Sequence, residues 1–432
     1  MRDYDVIIIG GGLSGLSSAY FLSENGFSVL VIEREREIGG LCGSYKIDGY
    51  DIEKFYHHAF PSDNTMKEIL KELKIENLLE CKNASIGFYI DKKVYKLDTA
   101  LDILNYPLGL TDKIKLGSII FKIKTQKNFY TLDDVSARDW LIKNGGNKLY
   151  RDFFLPLLRG KYGDMIDETS AAWFLERIKL RSSRSLKGEK ICYMKYGFKT
   201  LIEKIEEKIT ENDGKIITNT AVTGIKSKNE NRLDILYSSK KSEAKNVIST
   251  VPPQGLIKIC NLPETFMKRL QRIKYQGTIC ALFGLKKQLQ DVYWLNIKSN
   301  KFPFAGIIEH TNFYNNPEYK DHLVYVTSYI QNENDLAWDK SDEHIAQSFT
   351  NGLKKMFPDF NKNEINWWKI QKNKYTAPIY NIGYLSNMPS FKTPIKGLYI
   401  TGMPLTFDRT MERSLKAGKK CAFEIINSNE IN

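Results

Sequence analysis

Cysteine and histidine are scarce, six and five among 432 residues. The cysteines stand at positions 42, 81, 192, 260, 280 and 421 with no C-x-x-C pair. That scatter argues against a zinc ribbon or a disulfide framework and suits reduced thiols. The histidines, two of them adjacent, fall into no metal-ligand spacing, so no metal is expected. A run of roughly eighteen apolar residues is also missing, which speaks against a spanning helix. The chain enters an apolar strand at Asp5 without the charged, apolar and small-residue regions of a secretory leader. A cytoplasmic protein is therefore expected. Acidic residues are in deficit, 51 against 64 Lys and Arg, for a net charge of +13. The excess lysine is spread along the chain, so solvated surface is its plainest reading. An anionic small substrate or an anionic membrane surface comes next, and nucleic acid is not expected.

What is present is concentrated at the N-terminus. Asp5-Val6-Ile7-Ile8-Ile9 has the composition of a buried parallel strand. Gly10-Gly11-Gly12-Leu13-Ser14-Gly15 follows, and a helical pattern then runs from Leu16 through Leu22 to Asn25, with Gly26 as its stop. A second strand, Ser28-Val29-Leu30-Val31-Ile32, ends on Glu33 and Arg34. Here Gly10 permits a tight turn, Gly12 lets the backbone approach a pyrophosphate, and Gly15 lets helix and strand pack closely. The free N–H groups and dipole of the helix N-terminus, at Leu13 and Ser14, favour phosphate. Glu33 is placed to accept hydrogen bonds from ribose hydroxyls. An acid at that position disfavours a 2′-phosphate, which argues against NADP and leaves NAD and FAD open.

Further along, Arg34-Glu35-Arg36-Glu37-Ile38-Gly39-Gly40-Leu41-Cys42-Gly43-Ser44 sets a glycine pair and then a small hydroxyl residue beyond the acid. This resembles the second FAD signature of the superfamily that contains amine oxidases, protoporphyrinogen oxidases, carotenoid desaturases and UDP-galactopyranose mutases. Many members carry arginine where this chain has Leu41. Near the C-terminus, Lys396-Gly397-Leu398-Tyr399-Ile400-Thr401-Gly402 precedes Arg409-Thr410-Met411-Glu412, which opens a helix through Ile425. That order is similar to the superfamily's C-terminal flavin signature, whose helix N-terminus stabilises reduced flavin. The usual acid after the glycine is Met403 here. A third segment, Ile216-Ile217-Thr218 and Ala221-Val222-Thr223-Gly224-Ile225, is similar to the part that sets one residue, here Val222, against the adenine. The resemblance implies FAD held without a covalent bond, with Gly10, Gly12, Leu13, Ser14, Gly15, Glu33, Arg34, Gly39, Gly40, Leu41, Ser44, Val222, Gly402, Arg409 and Met411 as its contacts.

The implied fold class is α/β, a Rossmann-like FAD-binding domain of three layers around a mainly parallel sheet, with an interleaved α+β substrate domain. Residues 1–82, 196–261 and 391–432 are assigned to the first domain, 83–195 and 262–390 to the second. Within the second, the pattern predicts a hairpin of Ile86–Ile90 and Val94–Leu97, and helices over Asp139–Asn144, Leu149–Leu158 and His344–Phe357. It also predicts strands over Thr278–Leu285, Ala305–Glu309 and Leu323–Ile330. Residues 113–127 mix five lysines with Ile114, Leu116, Ile119, Ile120, Phe121 and Ile123. Two readings stand, a basic amphipathic helix resting peripherally on a membrane and a surface helix with a wet lysine face.

Candidate catalytic residues are His57, His58, Arg159 and Tyr380. Either histidine is a candidate proton donor or anion ligand, or a ring satisfied by backbone carbonyls. Arg159 is a candidate fork for a carboxylate or phosphate, or a surface salt bridge. Tyr380, after Tyr375-Thr376-Ala377-Pro378-Ile379, walls the substrate cavity or is simple core. Arg409 pairs with Asp408 or reaches substrate. The expected activity is that of an FAD-dependent oxidoreductase taking a hydride from a C–N or C–C bond of a small molecule at flavin N5. The alternative is a non-redox UDP-sugar mutase in which reduced flavin acts as nucleophile. A monomer and a homodimer are both open.

Overall fold

The computed structural model describes residues 3–181, 189–299 and 301–430. Two seven-stranded sheets organise them. The first has the strand order Val222–Asn229, Arg232–Tyr237, Lys240–Ser249, Asp3–Ile9, Val29–Ile32, Lys215–Ile217, and Leu398–Ile400 joins beside Lys240–Ser249. Asp3–Ile9 lies parallel to both neighbours, so that Ile7 sits between Leu30 and Val247, and Ile8 between Val31 and Ile248. All six side chains are buried. Burial on both faces is why these strands are near-continuous runs of Val, Ile and Leu. The strand Lys240–Ser249 changes partner part-way: Ala244 faces Leu233 of an antiparallel hairpin, while Val247 faces Leu398 in parallel. The result is the mainly parallel α/β sheet that the residue pattern implies.

The second sheet is mostly antiparallel, in the order Ile365–Pro378, Tyr275–Leu285, His322–Ile330, Gly306–Glu309, Trp294–Ile297, Ile86–Ile90, Lys93–Lys96. Its second strand, Tyr275–Leu285, is buried at every position. The helix Asp342–Met356 packs Ile345, Phe349 and Leu353 into the same core. Both sheets draw on distant parts of the chain, so neither can form before a long loop closes.

Two expectations need correction. First, Cys81 and Cys192 are joined in a disulfide, leaving Cys42, Cys260, Cys280 and Cys421 free. Leu79–Ala84 and Glu189–Met194 form an antiparallel ribbon in which these two residues are directly opposed. The N–H and C=O of Cys192 both bond Ala59 on its far side, each at 2.8 Å. Cys81 therefore meets it as a non-hydrogen-bonded pair, the register that brings side chains closest. A separation of 111 residues concealed the pairing. The same ribbon crosses the boundary expected at 82/83. Second, the helix expected over Leu149–Leu158 starts as a π-helical segment, Tyr150–Phe154, before the α-helix Leu155–Tyr162. Leu110–Thr125 is helical as expected, and it is apolar on two sides. Leu116, Ile119 and Ile123 face inward, while Leu110, Ile114 and Phe121 are exposed. Among the described residues no helix is long and apolar enough to cross a membrane.

If the disulfide forms as placed, thiol titration of protein denatured without reductant should count four free thiols, and six after reduction. Six in both states would remove the link.

Candidate functional site

The carboxyl ends of the central parallel strands converge with two helix N-termini. The first helix, Leu13–Glu24, starts at Gly12 with no side-chain cap, so its first-turn N–H groups lack intrahelical partners. A Cβ on Gly15 would lie 2.0 Å from the Gly10 carbonyl oxygen, which only glycine allows. Glu33 is buried where the second strand ends. Its Oε2 accepts from the Gly11 N–H at 2.6 Å and its Oε1 from the Glu35 N–H at 2.9 Å. Each oxygen retains a lone pair for another donor.

The two glycine motifs, separate along the chain, touch. The Gly39 N–H donates to the Gly11 carbonyl at 2.8 Å, and Gly12 bridges to Gly39 in parallel. A Cβ on Gly40, at φ 57°, would sit 3.1 Å from the Gly12 Cα. Leu41 is half-buried just beyond. Ser44 opens a short strand with its Oγ buried and without a hydrogen-bond partner. Thr220 N–H donates to the Glu33 carbonyl at 2.9 Å, which carries Val222 along the same edge. Arg34 is exposed and ion-paired with Glu35 at 3.0 Å.

The last helix, Met411–Glu430, crosses the first at a face of small residues. Ser14 Oγ donates to the Ser414 carbonyl at 3.0 Å, Ser17 Oγ to Leu415 at 2.8 Å, and Ser18 Oγ to Gly418 at 3.0 Å. Gly402, at φ 113°, lies beside Ser14 and Thr250. Two further buried hydroxyls here, Ser249 Oγ and Thr401 Oγ1, have no partner. An open glycine cradle, uncapped amides and unpaired hydroxyls suit a ligand rich in acceptor oxygens, such as a dinucleotide pyrophosphate with its sugars.

Beside this cradle lies a cluster of aromatic side chains around Arg409. Tyr380 is buried and stacks on Trp173, ring centroids 5.2 Å apart at 16°. The Arg409 guanidinium donates through Nη2 to Tyr162 OH at 3.0 Å. Tyr56 OH and Tyr329 OH hydrogen-bond to each other. Burial pushes the Tyr162 hydroxyl up to about 12 against the pull of Arg409, and raises those of Tyr56 and Tyr329 too. All three stay protonated at neutral pH.

Arg409 does not pair with the Asp408 side chain as expected. Asp408 instead receives Arg177 Nη1 at 3.2 and 3.3 Å and the backbone N–H of Arg409 at 2.8 Å. Arg159 is exposed on the helix Leu155–Tyr162, outside the cluster. His57 Nδ1 lies 2.8 Å from the Phe55 carbonyl oxygen. Desolvation, partly offset by that carbonyl, lowers its pKa to about 4, so it carries no charge for an anion at neutral pH. His58 Nδ1 meets Tyr293 OH at 3.2 Å. The residue of this loop that reaches the cluster is Tyr56. Tyr56, Tyr162 and Tyr329 were not singled out from the sequence, because a tyrosine in an apolar segment looks like core. Their one signal was position: Tyr56 adjoins the histidine pair, and Tyr162 ends the segment that carries Arg159.

Comparison with known proteins adds a family to this geometry. The family described as flavin containing amine oxidoreductase matches residues 13–426. Flavin-containing amine oxidase A of Canis lupus familiaris is 25% identical over 308 residues, covering 67% of this chain and 57% of that enzyme. The chain thus spans less than two thirds of that relative's length. A 15-cis-phytoene desaturase of Solanum lycopersicum is 22% identical over 468 residues, covering 100% of this chain and 79% of that enzyme. Among solved structures, an oxidoreductase from Methanosarcina mazei superposes with a TM-score of 0.74 at 20% identity, covering 98% of this chain and 100% of that one.

Proposed function

The chain belongs to the flavin-containing amine oxidoreductase family, and from that premise we propose that it is an FAD-dependent oxidoreductase acting on a small organic molecule. The observation that carries this reading is the contact between Gly11-Gly12 and Gly39-Gly40 above a buried Glu33. We assign the pyrophosphate to the amides of Leu13, Ser14 and Gly15. A ribose goes to Glu33, the adenine side to Val222, and the ribityl segment to Gly40, Leu41 and Ser44. The flavin end goes to Gly402 and to the main chain leading into Met411, whose helix dipole favours negative charge there. We read the cofactor as held without a covalent bond.

When bound, FAD supplies the acceptor for a hydride leaving a C–N or C–C unit of the substrate, and an external carrier or oxygen takes the electrons afterwards. The chain's own part is binding and exclusion of water. Tyr380 and Trp173 offer a flat apolar wall, and Tyr56, Tyr162 and Tyr329 offer neutral hydroxyls. We place redox chemistry ahead of the sugar-nucleotide mutase because the family and the relatives above are oxidases and desaturases.

Anaerobic addition of an amine should bleach the oxidised-flavin absorbance. Turnover of a UDP-sugar only after prior reduction, with no net electron transfer, would favour the mutase instead. Glu33→Ala should lower the flavin content of purified protein several-fold, and full flavin content would count against the assigned cradle.

The exposed stripe Leu110, Ile114 and Phe121, 66–72% accessible, also fits a peripheral membrane contact. Lys115, Lys122 and Lys124 border it, all exposed, and basic flanks on an apolar stripe suit anionic lipid. The protein should co-sediment with phosphatidylserine vesicles in a salt-sensitive way, and Ile114→Asp with Phe121→Asp should abolish this. Equal recovery of wild type and variant in the pellet would sink the reading.

A further inference from the structure

Arg409 is a half-buried cation without a counter-charge. Among the described residues no carboxylate lies within ion-pair distance of its guanidinium, and the adjacent Asp408 is engaged by Arg177. The rings packed against it are neutral. Its guanidinium carbon lies 5.5 Å from the Tyr162 ring centroid and 5.7 Å from that of Trp173. Removing a guanidinium from water without a partner is costly, and that cost is normally met by pairing.

A second observation points the same way. Trp173 is 2% exposed and its indole Nε1–H has no acceptor. An indole nitrogen can only donate. Tyr56 and Tyr329 satisfy one another with one hydroxyl proton, which leaves the other hydroxyl proton free to donate. The cluster thus holds a surplus of donors and one uncompensated positive charge. What it lacks is an anionic acceptor.

We propose that Arg409, with Trp173 and the Tyr56–Tyr329 pair, binds the carboxylate of a small organic substrate. This rests on the oxidoreductase reading above and adds the substrate's chemical class. The planar guanidinium presents parallel N–H groups that match the two oxygens of a carboxylate. One edge is already spent on Tyr162 OH, and the rest remains for the ligand. Trp173, held flat against Tyr380, keeps its N–H in a fixed direction. Arg409 precedes the helix Met411–Glu430 by two positions, so the anchored end of the substrate would lie next to the proposed flavin end of the cradle.

The test compares three probes of similar size, benzoate, benzylamine and benzyl alcohol, by calorimetry and by tryptophan fluorescence on the purified full chain. Both readouts work whether or not flavin is bound, and flavin content is measured separately on each preparation. Benzoate should bind, and both other probes should bind about tenfold more weakly or worse, since a charge-assisted hydrogen bond is worth roughly that factor. Arg409→Gln should weaken benzoate by about tenfold and erase the preference, while Arg409→Lys should restore part of it. Trp173→Phe should weaken benzoate and spare benzyl alcohol. Benzylamine binding as tightly as benzoate, undiminished benzoate affinity in Arg409→Gln, or no saturable benzoate binding at millimolar concentration would each overturn the assignment. Loss of flavin alone, with benzoate selectivity intact, would instead count against the oxidoreductase reading.

Discussion

Two glycine-bearing main-chain segments meet at the end of the first sheet, joined by the Gly39 N–H to the Gly11 carbonyl, and the proposed cofactor site depends on that approach. A side chain on Gly40 would crowd the Gly12 Cα at 3.1 Å, and the buried Glu33 carboxylate ties the turn at Gly11 to the end of the second strand. The carboxylate supplies charge-assisted hydrogen bonds where the low dielectric makes them strong. Three serine hydroxyls of the first helix bond main-chain carbonyls of the last and align the two.

That alignment links the proposed cofactor cradle to the proposed substrate site. The last helix begins within two residues of Arg409, so a helix placed by contacts with residues 14–18 also places the guanidinium among Tyr162 and Trp173. The aromatic cluster is contributed by four distant parts of the chain. Tyr56 comes from the loop after the glycine pair, Tyr162 and Trp173 from helices, Tyr329 from the second sheet, and Tyr380 from beyond its edge strand. An interleaved chain makes this convergence possible, at the cost of slow-forming non-local contacts.

The parts of the proposed cofactor site that could be anticipated from the sequence share one property: the backbone carries the role assigned to them. Gly10, Gly12, Gly15, Gly39 and Gly40 are informative because glycine at such fixed spacing is what a close main-chain approach to phosphate requires. Val29–Ile32 and the Val6-Ile7-Ile8-Ile9 end of the first strand were legible because strand segments buried on both faces cannot tolerate polar residues. The side-chain candidates His57 and Arg159 were less legible for the opposite reason. Their side chains suggest chemistry, yet His57 is held neutral by desolvation beside a backbone carbonyl, and Arg159 faces solvent.

The residue pattern alone therefore determined the α/β class, the dinucleotide turn and the family resemblance, because periodicity and glycine spacing are local and act through covalent geometry. Tertiary structure decided everything that rests on which side chains meet across long separations. It paired Cys81 with Cys192, gave Asp408 to Arg177 in place of Arg409, and gathered Tyr56, Tyr162 and Tyr329 around the guanidinium left over. Partner choice among charged and aromatic groups depends on distance and burial in the folded chain, and neither quantity is written in the order of the residues.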